Sequence, residues 1–130
     1  LDTDTSDETI VVGALNSSGT GIATYSNQAG VLKNKYLMAS GETGYYFQAN
    51  NTPVVGTSVS APRVAGAAAI LRQKFPNLTG GQTASVLLLT ADKDIDNNGI
   101  DDFSGVSDVF GHGKLDLSTA LSPVGSLAVR

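Results

Sequence analysis

The sequence predicts an α/β layered domain, and three segments carry that expectation. Residues 9–15 read TIVVGAL, a continuous apolar run rich in valine, which is the pattern of a buried strand with a parallel neighbour. Residues 59–75 read VSAPRVAGAAAILRQKF, alanine-rich with one aliphatic face and with Arg72 and Lys74 near the end, the clearest helix of the chain. Pro76 then stops that helix, and Thr79 followed three residues on by Gln82 forms a capping box for a second helix running to about Thr90.

The remaining elements follow in order. The opening LDTDTSDET is polar and turn-forming, and NSSGTG after the first strand supplies turn chemistry. IATYSNQAG and VLKNKYLMASG suggest further short strands separated by glycine, and Asn50, Asn51 and Pro53 make a loop. The run AGAAA in the long helix carries almost no side-chain volume, so neighbours can approach its backbone and the helix should be central and buried. Gly80 and Gly81 weaken the first turn of the second helix. The acidic ADKDIDNNGIDD leads to VFGHGKLDLSTAL, which reads as a glycine-bounded turn, a short strand and a final turn of helix.

Composition removes several function classes. With 41% hydrophobic and 15% charged residues among 130, the chain is too apolar for intrinsic disorder. Its 8 basic residues are scattered on a chain of net charge -4, which gives no electrostatic footprint for nucleic acid. The uncharged stretch over residues 45–61 is broken by Asn50, Asn51, Pro53 and Gly56 and cannot cross a bilayer. The absence of cysteine fits a reducing cytosol or a secreted bacterial protein held together by packing. Fifteen glycines belong to tight turns and close packing. The chain opens on Leu1 without a signal peptide, from which a processed or excised piece is expected.

The informative stretch is GTSVSAPRVAG, residues 56–66, where a serine sits between a loop and the start of a buried helix. Ser58 there has unpaired backbone N–H groups around it and the positive end of the helix dipole behind it, so negative charge developing on a substrate oxygen would be stabilised. Gly56 lets a substrate backbone approach, and Pro62 is expected in the first turn, where its missing N–H costs little. On this physics alone, an ordinary helix N-cap is the simpler role for Ser58.

The stretch resembles the nucleophile motif of the subtilisin-like serine proteases (subtilases), G-T-S-M-A-[AS]-P-H-V-A-G, and departs from it only at Val59, Ser60 and Arg63. TIVVGALNSSG with ATYSNQAG resembles the family's V-G-A-V-x-x-x-G and the A-S-F-S-x-x-G that follows. LMASG stands in the place of A-P-G, PNLTGGQTASVLLLTA resembles the helix after the nucleophile, and FGHGKLDLSTAL resembles the closing [YF]-G-x-G-x-[LIV]-[DN]-x-x-x-A-L. Gly13, Gly56, Gly66, Gly111 and Gly113 fall on glycine positions of this pattern.

The resemblance implies a subtilisin-like three-layer architecture with a mostly parallel sheet, present here as its C-terminal half over residues 1–122, with 123–130 a tail leading out of the domain. It makes Ser58 the nucleophile and its own N–H one oxyanion donor. The family's catalytic Asp and His and its oxyanion Asn precede the serine by more than position 58 leaves room for. A serine without its base is a weak nucleophile, so the fragment alone is expected to be inactive and its parent to be a serine endopeptidase. Arg63 and the volume-tolerant Val59 and Ser60 touch only local packing.

Further expectations follow from the same resemblance. No cofactor takes part in the chemistry, and the partners are a protein or peptide substrate and the missing N-terminal half. LMASGETGYYF and ANNTPVVG should line the substrate side. An exposed apolar face and open sheet edge should remain, covered by that half or by a homodimer. The closing VFGHGKLDLSTALSPVG resembles the end of the protease unit in bacterial surface-displayed and autotransporter subtilases, which implies an extracellular or bacterial cell-surface parent. The alternative is a pseudoprotease or an assembly module in which Ser58 does not react.

Three other features compete for a role. His112 is the single histidine, and the order Ser58, acids, His112 is that of α/β-hydrolases, so a self-contained triad is one alternative. Residues 94–102 follow D-x-D-x-N-G-x-x-D through Asp94, Asp96, Asn98, Gly99 and Asp102. These are the first nine positions of a calcium loop, with Gly105 where a position-twelve glutamate would stand; a solvated acidic turn is the simpler reading. Asn16, Asn50 and Asn77 each begin an N-x-[ST] sequon, which matters only in a glycosylating host.

Overall fold

The valine-rich run forms β1 (Val11–Leu15), which pairs in parallel with β2 (Tyr36–Ser40), Val11 opposite Tyr36 and Leu15 opposite Ser40. The computed structural model describes residues 9–122, and the opening 1–8 and the tail 123–130 lie outside the described residues. A second pair, β3 (Glu42–Phe47) and β4 (Thr52–Val55), is an antiparallel hairpin with an irregular register between Glu42 and Tyr46. The helices are α1 (Thr57–Lys74), α2 (Gly80–Leu89) and α3 (Leu117–Leu121).

Side chains on β2 alternate between two cores, as the two-residue period of a strand requires. Leu37 and Ala39 pack with Val64, Ala67 and Leu71 of α1, Leu87 of α2 and Ala120 of α3. Tyr36 and Met38 point the other way, to Ala29, Ile95, Phe103 and Phe110 in the connecting segments. The parallel pair is therefore the middle of three layers, helices on one face and loops with a 3-10 helix (Gly30–Lys35) on the other. This two-sided burial is why β1 and β2 are apolar throughout rather than alternating. Leu37, Leu71 and Leu87 are fully buried, each contributing about 1.5–3 kcal/mol of hydrophobic stabilisation.

The capping box is present: the Gln82 amide donates to Thr79 Oγ1 at 3.1 Å and the Thr79 amide to Gln82 Oε1 at 2.9 Å. Other expectations need correcting. IATYSNQAG forms no strand; Ile22 makes one isolated bridge to Leu15, and residues 30–35 wind into the 3-10 helix before β2. The strand expected near 111–115 is reduced to Lys114, bridged to Met38 on one side and Asp92 on the other. Gly111 and Gly113, both at positive φ, break the second segment, and the turn-forming Ser26 and Asn27 break the first. Among AGAAA only Ala67 is buried, while Ala65, Gly66 and Ala69 face solvent and Ile70 beside them is 46% exposed. Pro62 lies in the second turn of α1, not the first, because the helix starts at Thr57; its ring nitrogen cannot donate to the Ser58 carbonyl.

Candidate active site

Gly56 separates the hairpin from α1 and has φ 156° and ψ 165°, a conformation that L side chains rarely adopt. Its amide donates to the Gly41 carbonyl at 3.0 Å, joining the two ends of the hairpin. The helix begins at once, with Gly56 as N-cap and the Val59 amide donating to the Gly56 carbonyl at 3.0 Å.

Ser58 is the second residue of α1 and is exposed. Its Oγ lies over Gly56, 3.3 Å from where a Cβ on that glycine would stand. Among the described residues the hydroxyl makes no hydrogen bond, so it does not cap the helix; that place belongs to Gly56, which has no side chain to offer. The first turn holds no acidic residue to cancel the positive end of the dipole. An uncommitted hydroxyl, free first-turn amides and a glycine leaving the approach open can together bind and attack a polarised carbonyl once a base takes the proton.

His112 supplies no such base. It is 2% exposed and its Nε2 pairs with the Asn34 carbonyl at 3.0 Å, while its amide donates to the Tyr36 carbonyl at 2.8 Å. Tyr36 opens β2, and Gly41, the anchor of Gly56, follows its end, so roughly 16 Å of strand separates the two places. Burial lowers the pKa of His112; the Asn34 hydrogen bond opposes this and the charge of Lys93 adds to it, so the ring is held neutral. The structure does not bring Ser58 and His112 together.

Three residues near Ser58 make contacts that the motif did not reveal, two of them at positions where the chain departs from it. Ser60 is fully buried and donates its hydroxyl to the Ala39 carbonyl at 3.0 Å. Arg63 donates through Nη2 to the Glu42 carbonyl at 2.8 Å. The Tyr25 hydroxyl packs against Gly41, and burial with the charge of Glu42 raises its pKa, keeping the phenol protonated. Beside α1 runs an open groove of about 420 Å³ walled by Leu15, Ser40, Arg63, Gly66, Ile70 and Leu117.

The acidic loop is built but lies elsewhere. Asp94, Asp96 and Asp102 each present a carboxylate oxygen, all within 4.8 Å of one another. The Gly99 amide donates to Asp94 Oδ2 at 2.7 Å and the Ile95 amide to Asp102 Oδ2 at 2.7 Å. Partial desolvation pushes the Asp94 carboxyl up, but hydrogen bonds from Gly99 and Asn98, the contact with Asp96 and the charge of Lys114 outweigh it and hold the group below its ordinary value. Lys114, itself buried, donates to Asn97 Oδ1 at 2.6 Å and to the Ile95 carbonyl at 3.3 Å.

Comparison with known proteins decides the family, because the Subtilase family model (Peptidase_S8) matches residues 2–113. The chain belongs to the subtilase family. It is 37% identical over 98 residues to the autotransporter lipoprotein NalP of Neisseria meningitidis, covering 75% of this chain and 8% of that protein. It is 39% identical over 67 residues to the extracellular serine protease of Serratia marcescens, covering 52% of this chain and 6% of that one. Among solved structures, MycP1 from Mycobacterium smegmatis superposes with a TM-score of 0.64 at 26% identity, over 88% of this chain and 30% of that one. The chain thus spans only part of the curated relatives it matches, from 6% of the Serratia marcescens protease to 30% of subtilisin DY of Bacillus licheniformis. The subtilase likeness is to a part of the catalytic fold, carrying the segment around Ser58.

Proposed function

We propose that the protein carrying this chain is an extracellular or cell-surface serine endopeptidase. Ser58 Oγ attacks the peptide carbonyl, the amine leaves with a proton from the base, and water then hydrolyses the acyl-enzyme. The observation that carries this reading is the exposed, uncommitted Ser58 hydroxyl over Gly56 at the start of α1, in a chain of the subtilase family. The Ser58 amide serves as one oxyanion donor, and the base, its carboxylate partner and the second donor come from sequence preceding this chain. The 130 residues alone are inactive for that reason. Relatives named as an autotransporter and as an extracellular protease support the location.

Ser58→Ala in the full-length protein should lower kcat on a peptide substrate by at least about ten-thousandfold with the fold intact. Equal turnover in that variant would remove Ser58 as the nucleophile, and no turnover in the unsubstituted full-length protein would leave an assembly or binding module. The loop 94–102 is proposed to hold a calcium ion in a structural role through Asp94, Asp96 and Asp102, supported by their convergent carboxylates. The exposed strip of α1 is proposed to pack against the rest of the catalytic domain.

A further inference from the structure

Two of the three positions at which the chain departs from the family motif, Ser60 and Arg63, reach the same short stretch of backbone. Ser60 Oγ donates to the Ala39 carbonyl at 3.0 Å, Arg63 Nη2 to the Glu42 carbonyl at 2.8 Å, and the Gly56 amide to the Gly41 carbonyl at 3.0 Å. Three donors from the start of one helix thus hold three carbonyls within four consecutive residues.

The mechanical consequence differs from that of a single bond. The Gly56–Gly41 bond alone is a pivot about which the hairpin β3–β4 can rotate against α1. Ser60 adds a fixed point at the end of β2, in a fully buried place where the hydroxyl must be satisfied. Arg63 adds another at the first residue of β3, with a charge-assisted bond of the stronger kind. The hairpin leaves the sheet at Glu42 and returns through Val55 to Gly56, so fixing Glu42 fixes the entry to Ser58 as well.

We infer that Ser60 and Arg63 form a polar clamp that sets the position of the hairpin β3–β4 relative to Ser58, acting as positioning residues for the peptide substrate. This rests on the protease reading, in which the hairpin borders the substrate. A polar contact to a backbone carbonyl is indifferent to the hairpin's side chains, so the clamp fixes geometry while leaving the sequence of the hairpin free.

The test uses the full-length protein with Arg63→Met, which keeps the aliphatic stem and removes the donors, Arg63→Lys, which keeps the charge, and Ser60→Ala. Steady-state kinetics on an extended peptide are compared with the labelling rate of a small fluorophosphonate that carries no peptide. Arg63→Met should raise KM about fivefold to tenfold, the worth of one charge-assisted hydrogen bond at an exposed site, with labelling within about twofold of the parent. Arg63→Lys should recover most of the loss. Unchanged KM in Arg63→Met, or equal losses in labelling and KM, would overturn the clamp. Should the unsubstituted protein neither label nor cleave, the protease reading has failed, and amide hydrogen exchange across residues 42–47 decides the clamp alone. Exchange at least about threefold faster in Arg63→Met supports it, and identical exchange ends it.

Discussion

The Gly41 carbonyl accepts the Gly56 amide hydrogen at 3.0 Å, closing the base of the hairpin two residues before Ser58. Both partners are glycine for reasons of space and conformation. A Cβ on Gly41 would stand 3.0 Å from Ala14 Cβ and 3.0 Å from the Gly56 carbonyl, and against the Tyr25 hydroxyl. Gly41→Ala should therefore destabilise the fold by about 1–3 kcal/mol, read as a lower Tm.

At Gly56 the cost is backbone strain, since φ is 156° there. Gly56→Ala should lose about 1–3 kcal/mol and also displace Ser58 Oγ, which lies 3.3 Å from the new Cβ. The checking measurement is denaturant unfolding alongside probe labelling. Labelling should fall in Gly56→Ala more than stability alone explains.

His112 makes stability depend on pH. Its pKa is depressed in the folded state below the ordinary 6.5, chiefly by burial, so the unfolded chain binds more protons in the window between the two values. Stability is complete above about pH 6.5, falls as pH drops through that window, and levels off for this group below the folded value. Unfolding free energies between pH 7.5 and about 5 should show this slope, and His112→Gln should flatten it. A parallel slope in the variant would assign the effect elsewhere.

Lys114 holds the acidic loop from beneath through Asn97 and the Ile95 carbonyl. Lys114→Met leaves both acceptors without their donor and should cost about 1–3 kcal/mol. Isothermal titration with millimolar calcium should give a binding heat that Asp94→Asn abolishes. No heat in the unsubstituted protein would remove the calcium proposal.

The β1 edge away from β2 is met at Ala14 and Leu15 by Ala23, Ser26 and Ile22 rather than by a full strand, and α1 shows Ile70 at 46% exposure beside Ala65, Gly66 and Ala69. Light scattering of the isolated 130 residues should report self-association, relieved by adding the preceding half of the domain. A well-behaved monomer would contradict the packing proposed for this face.

The sequence was legible where one local rule governs a long segment. The valine run of β1, the alanine-rich α1, and the Thr79–Gln82 box were all readable because propensity, capping and burial agree there. It was misleading where small residues carry the signal. AGAAA implied close packing on all sides, but alanine and glycine record only that a neighbour can approach, not that one does. The segments around Ile22 and Lys114 hold one bridge each, below what period or propensity can register. At the site, Ser58 was legible through its motif. Ser60 and Arg63 read as packing changes because their acceptors, the Ala39 and Glu42 carbonyls, are 21 residues away and belong to backbone that any sequence supplies.

The central claim is that Ser58 is the reacting group, and covalent labelling of the full-length protein tests it most directly. After treatment with a fluorophosphonate, peptide mass mapping should find one adduct, on Ser58, absent from Ser58→Ala and absent when the 130-residue chain is treated alone. An adduct on another serine, or hydrolysis of peptides with Ser58 unlabelled, would contradict the account.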